Sequence, residues 1–480
     1  MKKIISFFIL SVLLVGIFVS VYRPHIDYEY PLHYDEWLRL NEIQHLVWTG
    51  QNDVYYPNLI KQYPKPYYQF GFDVGMAYLA KSAHLDPLLF WQWGASVLSV
   101  IIALVIYFLA LELGKNRYVA FLAVVLFGLL PTNIALLGTQ YFLPSNVGYL
   151  LMLLMLYLMV LYFKTHWKQY LYLFYVLSAV GLTIYPLTMI FIAPWIVMIF
   201  FILEPFKKSL KFLFWYIMSF VPLLLLYYFY ATGFGLTTTG TLLFHIKNVV
   251  IFKGESGYTI FGLFGIIGTI LALFGIFSTR RDMVVFVVAM AVTANLLTLK
   301  LFNFSVLAFH SRLIYMSLIM FCMFAPLGLL AIWNDMKKYK VRYPIVLALA
   351  GLMMIVPVNN YLKAEPTPIV ITENDIVAME FIKDNYTKKV ILAPAFTSVA
   401  IYSQTGNYVA TMSLTVQDSM FGKYDPWVNF IKRDDKARQN LIWIYDVDIV
   451  YSPVQIKYDK LKEVYNKNNI YIYEVRKIQE

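Results

Sequence analysis

Run after run of this sequence is apolar for close to the length of a membrane-crossing helix. About 20 apolar residues are needed to span the ~30 Å hydrocarbon core as a helix. Eleven such segments stand out, at about 4–21, 93–113, 117–132, 144–163, two within 168–204, then 210–230, 257–278, 283–299, 312–333 and 343–358. The pair within 168–204 is separated near Tyr185-Pro186, where proline lacks a backbone donor and disfavours helix in the residue before it. A water-soluble fold cannot enclose so much apolar surface. Sixty per cent of the 480 residues are hydrophobic and 14% charged, against roughly half apolar in ordinary domains. The expected class is a polytopic α-helical membrane protein; barrel strands would show as short alternating segments instead.

Charge sets the expected orientation. Alternate connections carry Lys2 and Lys3; Lys115 and Arg117; Lys164 and Lys168; Lys207, Lys208 and Lys211; Arg280 and Arg281; and Lys337, Lys338, Lys340 and Arg342. The other short connections are nearly bare, and 132–143 has no charge at all. This positive-inside pattern puts the N-terminus in the cytoplasm, and the 22–92 loop and C-terminal tail outside a cell membrane crossed many times. It also accounts for the net charge of +11 without nucleic acid. The opening Met1-Lys2-Lys3 and apolar run resemble a signal peptide, but the run is long and lacks a small-residue cleavage site, so a retained first helix is expected. The single cysteine, Cys322, excludes an intrachain disulfide.

Composition changes near residue 364. Charged residues become frequent and no spanning run remains. Val390–Ala393, Tyr408–Met412, Asp448–Tyr451 and Ile470–Val475 read as strands, Asp375–Lys383 and Tyr458–Tyr465 as helices. The expected organisation is a transmembrane domain over 1–363, with its long outer loop at 22–92, and a small extracytoplasmic α/β domain over 364–480. Pro366-Thr367-Pro368 reads as the linker.

The chemistry-bearing stretch is His33-Tyr34-Asp35-Glu36-Trp37, just past the first span. One carboxylate there can take a proton while the other positions it or a substrate hydroxyl. The same residues would also cap a helix starting near Trp37, where negative charge favours the N-terminus. Trp37, Leu40, Ile43, Val47 and Trp48 recur at helical spacing, which predicts an amphipathic helix lying along the membrane interface. A second such helix, carrying Asp73, is predicted at about 69–82. Tyr63-Pro64-Lys65-Pro66-Tyr67-Tyr68 forms a stiff aromatic turn between them.

This arrangement resembles the integral-membrane glycosyltransferases of the GT-C fold, which use a sugar carried on a polyprenyl phosphate. Members place an Asp, often Asp-Glu, in the first outer loop, matched here by Asp35-Glu36. An aromatic-Pro turn and an amphipathic helix follow, matched by Tyr63–Pro66 and Gly71–Ala80. An Arg opens a late helix on the outer side, matched by His310-Ser311-Arg312. The resemblance implies Asp35 as the base for the acceptor hydroxyl, with Glu36 as helper. His33 and Trp37 would lie beside the substrate. The cations Arg312, His310, Lys300 and Lys65 would meet the lipid phosphate. Several members have a second acid between helices 3 and 4, where this chain offers only Asn133 and Gln140. Asp73 is the candidate replacement. Tyr424-Asp425-Pro426-Trp427 is a poor echo of the Trp-Trp-Asp signature of oligosaccharyltransferases. No ligand cluster has metal spacing, so no metal is expected as obligatory, and use of a divalent ion stays open.

The function expected is transfer of a sugar from a polyprenyl-phosphate donor to a protein, lipid or glycan acceptor at the outer membrane face. A lipid-linked polysaccharide polymerase or ligase of another fold would carry its long outer loop late in the chain. A transporter or flippase would show charged or broken helices at mid-membrane, often in repeated halves. No Gly-rich phosphate loop follows a strand, so nucleotide-driven pumping is not indicated.

Overall fold

The computed structural model describes residues 2–51, 57, 59, 70–130, 136, 138–233, 251–253, 259–280, 282–302, 304–306, 310–363, 369–410 and 426–476. A helix occupies each expected span. They are Lys2–Tyr22, Leu89–Gly114, Arg117–Gly128, Pro144–Thr165, Lys168–Ile184, Pro186–Leu203, Phe206–Gly233, Met283–Phe302, His310–Asp335 and Arg342–Leu362, with the segment expected at 257–278 split into Ile260–Phe264 and Ile266–Ser278. The split falls at Gly265, whose φ of 80° and ψ of 158° suit only glycine. Five of the described helices are long and apolar enough to cross a membrane: Ile4–His25, Leu89–Gly114, Pro144–Thr165, Arg312–Asp335 and Arg342–Leu362. The chain is a multi-pass membrane protein.

Contacts divide the chain into two compact units. The first comprises Met1–Tyr28, Tyr68–Phe72 and Gln92–Pro366. Its central element is the helix His310–Asp335, buried on all sides from Leu313 to Ala325. That fits a helix apolar around its whole circumference. By contrast Phe7, Phe8, Val12 and Val15 on the first helix are exposed, as side chains facing lipid tails are. The helices Ile266–Ser278 and His310–Asp335 meet through glycines. A Cβ on Gly275 would lie 1.9 Å from the Phe324 carbonyl oxygen, and one on Gly328 would lie 2.1 Å from that of Leu271. Only hydrogen at both positions lets the backbones approach so closely. A short antiparallel ribbon pairs β1 (Ile251–Lys253) with β2 (Phe304–Val306).

The second unit comprises Glu29–Tyr67, Asp73–Trp91 and Thr367–Glu480, so part of the first loop belongs with the tail. Its sheet has the order β4-β3-β5-β7-β6. The strands are β3 (Val390–Leu392), β4 (Tyr408–Val409), β5 (Ile449–Ser452), β6 (Leu461–Lys467) and β7 (Ile470–Val475). β3 lies parallel to β4 and β5, whereas β7 is antiparallel to β5 and β6. Val390, Leu392, Val450, Phe430, Trp427 and Tyr473 form its core. The helix Glu373–Asn385 opens on a capping box of Thr372 and Asp375. The Tyr451 hydroxyl donates to Asp375; burial, and then the Asp375 charge, push that phenol far above its ordinary value.

Two expectations are corrected. Tyr458–Tyr465, read as a helix, lies in the hairpin of β6 and β7. The connection is Asn468-Asn469, with φ of 53° and 61°, the left-handed pair that a two-residue hairpin turn requires. The first loop helix, expected to lie on a membrane surface, is enclosed by protein on its polar side. Tyr34–Thr49 buries Glu36, Asn41, Glu42 and His45 together with Trp37, Leu40 and Ile43. It packs on the helix Ala395–Thr405. The Asn41 amide donates to the Val399 carbonyl at 2.6 Å and accepts from the Ser403 backbone N–H at 3.0 Å. It thus engages both ends of one step of that helix's ladder. His45 Nδ1 lies 2.7 Å from the Tyr402 hydroxyl. Replacing Asn41 with leucine is expected to lower stability by about 2–4 kcal/mol, since two buried peptide groups lose partners. Thermal unfolding of the purified protein checks this, together with faster proteolysis between residues 395 and 405.

Candidate functional site

The local sequence Pro31-Leu32-His33 runs extended into a helix start, with His33 as N-cap at φ −115° and ψ 151°. His33 Nδ1 accepts from the Asp35 backbone N–H at 3.1 Å, so the neutral ring carries its proton on Nε2. Glu36 reaches back, and its Oε2 accepts from Leu32 N at 2.9 Å and His33 N at 3.0 Å. This reciprocal cap satisfies donors that the first turn otherwise leaves bare. Glu36 is fully buried, whereas the Asp35 side chain is 47% exposed. Asp35 Oδ2 lies 3.8 Å from His33 Nδ1. The two adjacent acids therefore have different surroundings: Glu36 holds the backbone, and Asp35 presents a carboxylate from a rigid helical turn.

Trp37, expected beside the substrate, is wholly enclosed and stacks on Tyr30 with ring centroids 6.2 Å apart. Its packing anchors the turn. Asp73 also differs from expectation. Its carboxylate is nearly buried and forms a 2.9 Å ion pair with Arg39, tying the helix Phe70–Ala83 to Tyr34–Thr49. Lys65 and the His310 side chain lie outside the described residues. Among the described residues, no group of three or more His, Cys, Asp or Glu side chains is placed to hold a metal.

Glu36→Ala is expected to cost about 2 kcal/mol or more, because two backbone N–H groups lose their acceptor in a buried turn. A lowered melting temperature would check this, with Asp35→Ala as the comparison. Asp35→Ala should cost only about 0.3–1 kcal/mol, the usual worth of an exposed charge near a helix N-terminus.

In the first unit a polar cluster surrounds the N-terminal end of the helix His310–Asp335. Arg312 Nη1 donates to the Leu136 carbonyl at 3.1 Å. One turn further, the Tyr315 hydroxyl accepts from Thr139 N at 3.0 Å. Asn146 Nδ2 donates to the carbonyls of Gly138 and Tyr141. Tyr149, fully buried and 5.6 Å from the Tyr315 ring, finds no hydrogen-bond partner for its hydroxyl among the described residues. Sequence reading found Arg312 but missed Asn146, Tyr149 and Tyr315. Their signal was faint: a Pro-Ser-Asn start to an apolar helix, and tyrosines that read as packing.

No protein-family model matches this chain, and no curated protein matches it in sequence. Solved structures do match. The Archaeoglobus fulgidus oligosaccharyltransferase AglB, in complex with an inhibitory peptide and a dolichol-phosphate, aligns with a TM-score of 0.64 at 10% identity, covering 94% of this chain and 69% of that one. ArnT from Cupriavidus metallidurans, bound to undecaprenyl phosphate, aligns at 0.58 and 10% identity over 97% of both chains. This chain has the GT-C fold. The mycobacterial arabinofuranosyltransferase AftD aligns at 0.57 and 13% identity, covering 97% of this chain and 40% of that one. The likeness of fold extends over nearly the whole of this chain and, for ArnT, over nearly the whole of its match as well. At 10–13% identity it is a likeness of backbone, so the GT-C fold is established and the chemistry must be argued from the residues.

Proposed function

We propose that this chain is a glycosyltransferase that moves a sugar from a polyprenyl-phosphate donor to an acceptor hydroxyl at the outer membrane face, with inversion at the anomeric carbon. Asp35 takes the acceptor proton as the new oxygen–carbon bond forms. The bond from the anomeric carbon to the phosphate oxygen breaks, and the lipid phosphate leaves with the electron pair. A cation offsets the charge that grows on that phosphate; Arg312 is the first candidate, with His310 and Lys65 as further ones. His33 and Glu36 position Asp35, and Arg39 and Asp73 brace its helix. The acceptor is a protein, a lipid or a glycan. In this reading residues 364–480 form an extracytoplasmic domain, and the N-terminus is cytoplasmic.

The observation that carries the proposal is the division of labour at Asp35-Glu36. Glu36 is consumed in capping, and Asp35 stands half-exposed on the turn it stabilises. The fold adds support, since two of the matched structures hold polyprenyl phosphates.

Donor dependence tests the reaction. Membranes containing this chain should move label from a polyprenyl-phosphate sugar to an acceptor, and should not do so from the matching nucleotide sugar when polyprenyl phosphate is depleted. Equal transfer from the nucleotide sugar would refute the proposal.

A further inference from the structure

A cleft of about 630 Å³ opens within the second unit, at the opposite end of the helix Tyr34–Thr49 from Asp35 and unused by the proposed transfer. That volume lies within the roughly 300–1,000 Å³ of small-ligand clefts. The end of the helix Tyr34–Thr49 supplies Gln44 and Trp48. The turn after Phe70–Ala83 supplies His84 and Asp86, and the C-terminal segment adds Lys383 and Gln404. His84, Asp86 and Trp48 are held by local structure. His84 adopts a left-handed φ of 53°, and Asp86 Oδ1 accepts from Leu88 N at 2.9 Å, which fixes the turn. The Trp48 indole packs obliquely on Tyr402, with centroids 5.7 Å apart, and remains 53% exposed.

These features select a ligand class. An exposed indole held in place by a second ring offers a flat face with negative quadrupole charge, which attracts the polarised C–H groups of a sugar ring. The amides of Gln44 and Gln404 can each donate and accept, as hydroxyl groups require. Gln44 Oε1 is enclosed and, among the described residues, accepts no hydrogen bond. An unmade buried acceptor costs about 1–3 kcal/mol, which a hydroxyl entering the cleft, with a small rotation of the side chain, recovers. Among the described residues the Asp86 carboxylate and the Lys383 ammonium line the cleft and balance one another, leaving no excess of fixed positive charge to favour a phosphate. We infer that the cleft binds a neutral oligosaccharide chain, stacked on Trp48 and hydrogen-bonded by Gln44. It lies apart from the residues proposed for transfer and would hold a glycan that carries no lipid phosphate.

The test uses the full chain in lipid nanodiscs and reads saturation-transfer NMR with maltotriose, mannotriose, xylotriose, the corresponding monosaccharides and inorganic phosphate. At least one trisaccharide should bind saturably, at least fivefold tighter than its monosaccharide, with phosphate silent. Trp48→Ala should weaken that binding at least tenfold, and Trp48→Phe should keep it within threefold. Asp35→Asn should leave it unchanged, which separates this cleft from the transfer site. The inference is overturned if no trisaccharide binds, if phosphate binds in its place, if Trp48→Ala binds like wild type, or if Asp35→Asn abolishes binding.

Discussion

Asparagine in place of Asp35 should reduce sugar transfer by about 10²–10⁴-fold, the usual worth of a positioned general base. The change keeps shape and volume and removes only the group that takes the proton. Melting temperature should stay nearly constant, because the capping bonds belong to His33 and Glu36 and not to the Asp35 side chain. Donor binding should persist, so the loss falls on turnover. Initial rates with a labelled polyprenyl-phosphate sugar, measured beside a melting curve, check both halves. Asp384→Asn removes an exposed acid from the helix Glu373–Asn385 and should leave the rate unchanged. A collapse of rate together with melting temperature would assign Asp35 to folding.

The helical half of the molecule was legible because length and apolarity decide it. The break between Lys168–Ile184 and Pro186–Leu203 fell at Tyr185, where Pro186 predicts it. The break at Gly265 was missed because apolarity continues on both sides and only the backbone angles reveal it. Strand β7 is read correctly, but the stretch that holds most of β6 reads as a helix because Lys, Leu and Glu dominate 460–463; the Asn468-Asn469 turn is the better signal. In the site, a pair of acids near a helix start was visible, and both readings of it were physical. Which carboxylate caps and which stays open depends on how the chain turns at His33, and side-chain spacing does not carry that. Asn41 is the plainest case of what a sequence hides. It is an ordinary polar residue on a helix, and its partners Val399 and Ser403 lie about 360 positions away.

The largest effect on folding is expected at Gly275. Alanine there places a methyl group 1.9 Å from the Phe324 carbonyl oxygen and 2.9 Å from the Gly328 nitrogen. These are backbone atoms, so no side chain can rotate away. Either the helix Ile266–Ser278 or the buried helix His310–Asp335 must shift along their contact. The cost should exceed the ~1–3 kcal/mol typical of overpacking, because the displaced element is the central helix of its unit. Gly351→Ala gives the control. That glycine sits in the helix Arg342–Leu362 with nothing within 4 Å of an added Cβ, and alanine there should be neutral or stabilising by up to about 1 kcal/mol. Detergent-extracted yield and melting temperature should fall sharply for Gly275→Ala and hold for Gly351→Ala. Equal behaviour of the two would mean that the helices do not meet at their glycines.

A structure of the Asp35→Asn chain in nanodiscs, loaded with a polyprenyl-phosphate sugar and an acceptor, tests the reaction at its centre. The acceptor oxygen should lie about 3–3.5 Å from the anomeric carbon and within about 2.6–3.2 Å of the residue 35 side chain. Density for the sugar phosphate in a different part of the protein, with no acceptor reaching residue 35, would contradict the account.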